Sequence, residues 1–418
     1  MPEIRIRPAV PSDLEALVAL ETEAMHFPMG HRVREWFRDD FPFDHRDRIA
    51  VAEHEGRLVS AAALVPMPFV YRGLPLQGAY WEAVVTHEAY RRQGLCRRLF
   101  EALTPAEGLD TLFVWGATWL YRRFGYCPAV RQYGGLGTHE RVVRVADFPE
   151  SSLAARPATL DDAAFLARLR EGAGARYVLS TPVSEAAFLH DLRPDRTVAG
   201  RGETGLNRWQ EWRILEKDGV PVGYFMHDPW DLACLMELEI VPGETTWREA
   251  TASAVRATAE FPPVPCFSAG EVRVTLPDAH PALAAYPLAF GAASRHADIA
   301  ARIPDPAGFL RRVAPALERS LATSALAGWS GELTLSTITD GVRLVFRAGT
   351  LSEVERWEAA RPDEARARLM PGRFEALIFG YRSPAAIFAE DADCAADEEA
   401  EAVLAALFPP GDSFLRPI

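Results

Sequence analysis

Arg91-Arg92-Gln93-Gly94-Leu95-Cys96-Arg97-Arg98 sets four arginines around a single glycine. The run follows the apolar, strand-like Tyr80-Trp81-Glu82-Ala83-Val84-Val85 and opens a helical pattern at Leu99, Phe100 and Leu103. A glycine at a strand-to-helix junction lets the main chain approach a ligand, and the N–H groups of a starting helix attract anions. Flanking guanidiniums add bidentate phosphate donors. This density of positive charge stands out in a chain of 418 residues with a formal net charge of −13. The stretch reads as a seat for a pyrophosphate-bearing cofactor.

Composition narrows the class. An apolar fraction of 49% with 10% aromatics belongs to a folded protein, and the length suits two or three domains. No apolar run approaches the ~20 residues that cross a bilayer, and the N-terminus lacks the apolar core of a signal peptide. A cytoplasmic protein is therefore expected. Cys96, Cys127, Cys234, Cys266 and Cys394 are scattered without metal-ligand spacing, so reduced thiols and no metal site are expected. The acidic balance argues against general nucleic-acid binding and suits a cationic substrate.

Around the arginine run, residues 1–150 read as mixed α/β. Ile4 and Ile6 alternate with charges as in a strand, and Ser12-Asp13 precede a helix carrying Leu14, Leu17 and Val18. Ile49–Ala52 and Leu58–Val65 flank Glu55-Gly56 as a β-hairpin, and Leu112–Trp115 reads as a buried strand. After the polar linker Pro149-Glu150-Ser151-Ser152, the segment around Arg156-Pro157-Ala158 echoes Arg7-Pro8-Ala9. A duplicated unit and a shared helix-start signal both fit that echo. Strands at Val222–Met226 and Met236–Val241 and a helix around Ala250–Ala259 repeat the first order. Pro242-Gly243-Glu244-Thr245-Thr246 stands where the arginine run would recur, which favours a degenerate second copy. A third unit, starting near Arg302, carries a helix through Phe309, Leu310, Val313 and Leu317. Its strands are Glu332–Ile338 and Val342–Arg347, and its closing helix is Glu398–Phe408.

The run Arg91–Cys96 after a strand resembles the acetyl-CoA loop of the GCN5-related N-acetyltransferases (GNAT), with Cys96 in the last small-residue slot. Tyr121-Arg122-Arg123-Phe124-Gly125-Tyr126 is similar to that superfamily's tyrosine turn. Two such units and a third domain, with Gly380-Tyr381-Arg382-Ser383-Pro384, resemble the Eis (enhanced intracellular survival) family over nearly the whole chain. The resemblance implies an α/β fold of two tandem GNAT-type domains, 1–150 catalytic and 151–295 degenerate, with a sterol carrier protein 2-like α+β domain at 296–418. It implies an acetyl-CoA-dependent N-acetyltransferase that acts on a small polycationic amine such as an aminoglycoside, without nucleic-acid or membrane partners, assembled as a hexamer.

Carried over residue by residue, Val84, Val85 and Thr86 form the strand edge for the pantetheine arm. Arg91, Arg92, Gln93, Gly94, Leu95, Cys96 and Arg97 wrap the pyrophosphate, and Gly116 and Ala117 lie beside the cofactor. Tyr121 is the general acid, although an ordinary helix aromatic is the competing reading. The resemblance gives the general base to the C-terminal carboxylate, here that of Ile418. Yet Leu415-Arg416-Pro417-Ile418 follow Phe414, where the family usually ends, so a frayed tail fits equally and Glu82 is the substitute base. Trp36 resembles an acceptor-pocket wall or is plain core. Competing readings of function are a lipid or hydrophobic-ligand carrier and a protein lysine acetyltransferase.

Overall fold

The strands flanking the arginine run are present in the computed structural model, which describes residues 3–25, 33–34, 36–38, 48–103, 108–131, 140–193, 211–228, 231–261, 270–293, 298–337, 340–358 and 364–415. The first stretch holds β1 (Arg5–Pro8), α1 (Leu14–Met25), β2 (Ile49–His54), β3 (Arg57–Pro66), β4 (Phe69–Tyr71), β5 (Leu74–Leu76) and β6 (Gly78–Thr86). It continues with α2 (Leu95–Leu103), β7 (Thr111–Val114), α3 (Thr118–Tyr121) and β8 (Cys127–Arg131). Glu55 and Gly56 both take positive φ, 51° and 77°, between His54 and Arg57, which face each other as the last pair of β2 and β3. That mirror-image two-residue turn matches the strand twist, so the hairpin closes where the sequence reading puts it.

Residues 140–293 give β9 (Arg141–Arg144), β10 (Ala154–Pro157), α4 (Ala163–Gly174), β11 (Leu179–Ser180) and α5 (Glu185–Asp191). There follow β12 (Glu211–Lys217), β13 (Val220–Asp228), β14 (Asp231–Ile240), α6 (Trp247–Thr258), β15 (Glu271–Val274) and α7 (Pro281–Ala285). The remainder holds β16 (Asp298–Arg302), α8 (Pro306–Ala322), β17 (Gly331–Ser336), β18 (Gly341–Arg347), β19 (Thr350–Arg356), β20 (Ala367–Arg368), α9 (Arg373–Ile378), α10 (Pro384–Glu390), β21 (Ala395–Ala396) and α11 (Glu398–Leu407).

The first sheet runs β1-β2-β3-β6-β7-β16-β8 and the second β10-β12-β13-β14-β15-β9. Two strands sit in a sheet other than the one their neighbours in sequence build. β16 pairs antiparallel with β7, Ala301 facing Phe113, whereas β9 pairs antiparallel with β15, Val143 facing Val272. The compact units are accordingly discontinuous: residues 1–130 with 299–411, and 131–298 with 412–416.

The Arg-Pro-Ala echo is a duplicated clamp. Arg7 donates from Nη1 to Asp13 Oδ2 at 2.7 Å, from Nη2 to Oδ1 at 2.9 Å, and from Nε to Glu53 at 2.7 Å. Arg156 repeats this on Asp162 at 2.7 and 2.8 Å and on Glu216 at 2.7 Å. Asp13 and Asp162 also accept the N–H of the residue three positions back, Val10 and Thr159, each at 2.8 Å. Asp13 thus closes the helix entry from inside the first turn, a correction to the expected Ser12-Asp13 cap. The arginine fork holds each carboxyl below the usual carboxylate range. A shared helix-start signal accounts for the aspartates alone. The matching cross-strand glutamates require the same strand pairing in both copies, Arg7 facing Val51, two residues before Glu53, and Arg156 facing Ile214, two residues before Glu216.

A five-stranded sheet, β19-β18-β17-β20-β21, packs with α8, which in turn packs on α11, and its strand β19 is one the sequence pattern does not reveal. Its charged residues Glu353, Glu355 and Arg356, the last two exposed, hide the strand period behind charge. Within the same unit Glu375, on α9, is 8% exposed and accepts the N–H of Ile303 at 3.2 Å just beyond β16. Burial pushes its carboxyl up to about 7 from an ordinary 4.5. The folded state therefore holds a proton that the unfolded chain has released, and stability falls as pH rises from about 4.5 to about 7. Glu375→Gln is expected to match the parent at pH 5 and to be more stable at pH 8 by about 3 kcal/mol. Denaturant midpoints at the two pH values check it.

Candidate active site

The site begins where β6 and β7 part. Their parallel pairing runs from Gly78–Thr111 to Trp81–Val114 and stops there, while β6 continues to Thr86. On the other side β6 stays paired with β3, but the register skips between Ala61–Val85 and Ala63–Glu82, and Ala83 sits at φ 52°. That bulge re-aims the strand at the point of divergence. The splay exposes one side of the main chain of Val84, Val85 and Thr86 to a ligand lying between the strands. Ser60, fully buried on β3, fixes this edge. Its hydroxyl donates to the carbonyl of Val85 at 2.7 Å and lies 2.8 Å from Thr86 Oγ1. The sequence reading passed over Ser60, whose only signal is a hydroxyl within the apolar run Leu58–Val65.

Beyond β6 the arginine run makes the turn into α2. Arg92 and Gly94 take positive φ, 65° and 74°, and the Gly94 carbonyl accepts the N–H of Arg98 at 3.1 Å as the helix begins. Leu95, Leu99 and Phe100 are buried against the sheet, while Arg91, Arg92, Gln93 and Arg97 are exposed at the helix start. The arginines divide their work. Arg91 Nε reaches the carbonyl of Thr86 at 3.3 Å, Arg98 reaches that of Ile4 at 2.8 Å, and the Arg97 guanidinium lies 5.2 Å from the Phe124 ring centroid. Arg91 thus ties the strand edge to the loop, and Arg98 anchors α2 to the chain before β1.

Tyr121 is held by an aromatic stack. Trp81 lies flat on Phe100 at 3.8 Å between centroids, Phe100 is parallel to Tyr121 at 6.1 Å, and the Trp81 indole donates to the Tyr126 hydroxyl. The Tyr121 carbonyl accepts the N–H of Tyr126 at 3.2 Å, closing the turn through Gly125 at φ 83°. Burial raises the Tyr121 phenol well above its ordinary range, and the neighbouring Cys96 and Glu82 act in the same direction. Both therefore lie within electrostatic reach of the hydroxyl. Burial also pushes the Cys96 thiol up to about 11 and Tyr126 up to about 12. At neutral pH the site holds a phenol and a thiol, both protonated.

Gly116, at φ 74°, and Ala117 are exposed at the end of β7, where Ala117 is the N-cap of α3. Glu82 is half-buried on β6, its Oε1 accepting the N–H of Ala83 at 3.3 Å. The splay therefore gathers Glu82, Val84–Thr86, Arg91–Arg97, Gly116, Ala117 and Tyr121 at one end of the first sheet. Trp36 is buried at 3% exposure, and much of the segment around it, like Ile418, lies outside the described residues. Among the described residues no cluster of metal-ligating side chains occurs, and no helix is long and apolar enough to cross a membrane.

The second sheet parts at the same place and is plugged. Pairing of β14 with β15 ends at Leu235–Val274, while β14 runs on to Ile240. His280, the N-cap of α7, donates from Nε2 to the carbonyl of Leu238 at 2.9 Å and accepts the N–H of Ala282 at Nδ1. An imidazole thus spans the divergence where the first sheet has only Ala117. The arginine run has no counterpart after β14, where Pro242-Gly243-Glu244-Thr245-Thr246 stands.

Residues 5–129 match the family model described as acetyltransferase (GNAT) domain. Three solved structures share the fold along almost the whole chain. A GCN5-related N-acetyltransferase from Anabaena variabilis is 14% identical with a TM-score of 0.69, covering 99% of each chain. One from Kribbella flavida is 18% identical with a TM-score of 0.68, covering 99% of this chain and 98% of that one. Eis1 from Mycobacterium abscessus is 14% identical with a TM-score of 0.62, covering 98% of each. No curated protein matches the chain. Residues 5–129 are an acetyltransferase domain of the GNAT type, and the enzyme class that goes with them is N-acetyltransferase.

Proposed function

We propose that the chain transfers the acetyl group of acetyl-CoA directly to an amine of a small polycationic acceptor, an aminoglycoside being the example its Eis-like fold suggests. The observation that carries this reading is the splay of β6 from β7, with the Gly94 turn and the Tyr121 hydroxyl at the same end of the sheet. Acetyl-CoA supplies an activated thioester. A β6 N–H at the splay polarises its carbonyl, exposed arginines and the α2 N-terminus hold its pyrophosphate, and Tyr121 delivers a proton to the departing thiolate. A protonated Cys96 argues against an acyl-enzyme and for direct transfer. The net charge of −13 draws in a polycation. We extend the reading to a catalytic unit at 1–150, a degenerate copy at 151–295 and a sterol carrier protein 2-like unit at 296–418, in a cytoplasmic homo-oligomer.

Glu82 is assigned as proton acceptor because its half-buried carboxylate stands on β6 beside the Ala83 bulge, two residues before Val84. The Ile418 carboxylate, which the resemblance places in this role, competes with it. Glu82→Gln is expected to lower kcat/KM about 100-fold at pH 7, whereas removing residues 416–418 changes it less than about twofold. The opposite pattern transfers the role to the tail. Release of CoA thiol with a panel of amines tests the activity itself. Absence of both release and acetyl-CoA binding would favour a lipid or hydrophobic-ligand carrier instead.

A further inference from the structure

A cleft of about 310 Å³ opens in the second unit between α6 and the β10–β12 end of its sheet, and Arg213, Ser253, Arg256, Glu150 and Glu260 line it. Arg213 breaks the alternation of its strand. Leu215, two residues on, is fully buried in one core cluster with Ala250, Ala254 and Val255 of α6, and Arg213 shares that face of β12. In the first unit the position equivalent by strand pairing is Ala50. Arg213 faces Pro157 of β10 as Ala50 faces Pro8 of β1, and Ala50 is 3% exposed within an apolar cluster. The guanidinium that stands in place of this methyl lies 5.1 Å from the Phe261 ring centroid, with Glu211 at 3.6 Å, beyond hydrogen-bond reach. Its Nε is buried without a partner, and among the described residues Arg213 donates no hydrogen bond. Arg256 reaches the cleft from α6. One of its terminal nitrogens donates to the Phe148 carbonyl at 3.0 Å, and the other lies 3.8 Å from Glu150, whose side chain is 92% exposed.

The geometry points to this cleft as a binding site for a small zwitterion of the α-amino-acid class, its carboxylate taken by Arg213 and Arg256 and its ammonium by Glu150 and Glu260 at the rim. Such a site is independent of the acetyl-CoA reading. A half-buried guanidinium with unused donors costs free energy that a planar carboxylate acceptor recovers. Three carboxylates, of Glu211, Glu150 and Glu260, stand about the two arginines, so the cleft has no excess positive charge for a dianion and has acceptors to spare for a cation. Ser253, whose hydroxyl donates to the Leu153 carbonyl at 2.8 Å, keeps lone pairs free for the same ammonium. The volume lies at the small end of ligand pockets, which fits a single amino acid and not a nucleotide. The second copy has thus lost the arginine run and gained, at a position that is apolar core in the first, the cation of a different site.

Thermal melts of the full chain with each common α-amino acid at about 10 mM test this. At least one is expected to raise the melting temperature by about 2–4 °C. In calorimetric titration its amide and its N-acetyl derivative, each lacking one of the two charges, should bind at least about tenfold more weakly. Arg213→Met should weaken binding of the amino acid at least about tenfold and leave the unliganded chain as stable as the parent or more so, because an unpaired buried donor is gone. Arg256→Gln keeps a donor for the Phe148 carbonyl and should weaken binding by a similar factor. Absence of a shift with every amino acid overturns the proposal, as does an affinity that survives both arginine changes. Inorganic phosphate binding as tightly as the amino acid overturns it by making the cleft a plain anion seat. If Arg213→Met melts below the parent, the more exposed Arg256→Gln decides, and unchanged affinity in that variant overturns the site.

Discussion

Tyr121→Phe is expected to lower kcat for acetyl transfer by about 100-fold or more, with the KM for acetyl-CoA and the melting temperature nearly unchanged. The ring is kept, so the parallel contact with Phe100 and the turn to Tyr126 survive. Only the hydroxyl is lost, and with it the proton for the leaving thiolate. Because burial holds the phenol far above its ordinary range, the parent should show no alkaline loss of activity from this group below about pH 10. Steady-state thiol release with an aminoglycoside or polyamine acceptor, followed from pH 6 to 9.5, reads both effects. A variant with parental kcat would remove Tyr121 from the chemistry and return it to the role of a packed aromatic.

Arg170→Met is expected to cost the second unit about 3–5 kcal/mol. Arg170 and Glu237 are buried with side chains 1% and 3% exposed, 3.3 Å apart, and the Tyr224 hydroxyl donates to the same carboxylate at 2.6 Å. Removing the cation leaves the buried Glu237 carboxylate beside Tyr224 without the charge of Arg170. The double variant Arg170→Met/Glu237→Gln should recover most of the loss, since the amide oxygen still accepts from Tyr224 and neither substituted position is charged. The effect has a second readout. Arg170 also lies 4.5 Å from the Phe414 ring, which packs on Tyr177, and Phe414 donates its N–H to the Leu179 carbonyl at 2.8 Å. Amide exchange at Phe414 should accelerate in the single variant. Unchanged exchange together with an unchanged denaturation midpoint would show that the pair is dispensable.

The Phe414 anchor bears on the chain end. Its ring is 2% exposed, and its carbonyl accepts the N–H of Thr181 at 3.2 Å. Phe414 is therefore held by an isolated β-bridge to Ser180.

How far the sequence carried depends on the range of the interactions involved. The hairpin at Glu55-Gly56, the strand before the arginine run, the helix after it and the turn at Gly125 are local matters, set by residue preference, φ and hydrophobic period over a few positions. The Arg-Pro-Ala echo was legible but undecided, because Arg7 and Arg156 declare their meaning only through Glu53 and Glu216, some 46 and 60 residues away. Ser60 and His280 could not be singled out. A buried hydroxyl and a helix-cap imidazole gain their roles from strands that arrive beside them in space.

The amino-acid sequence by itself determined the groups available here: four arginines about Gly94, a tyrosine five residues before Tyr126, and a chain of formal net charge −13. Tertiary structure decided how the two sheets differ where their central strands part. The first sheet parts at Trp81 over an open strand edge, and the second is closed by His280. It also decided that β16 completes the first sheet and β9 the second. A short apolar strand encodes that it will pair but not with which edge, since main-chain hydrogen bonds are the same everywhere and only the assembled fold offers the partner.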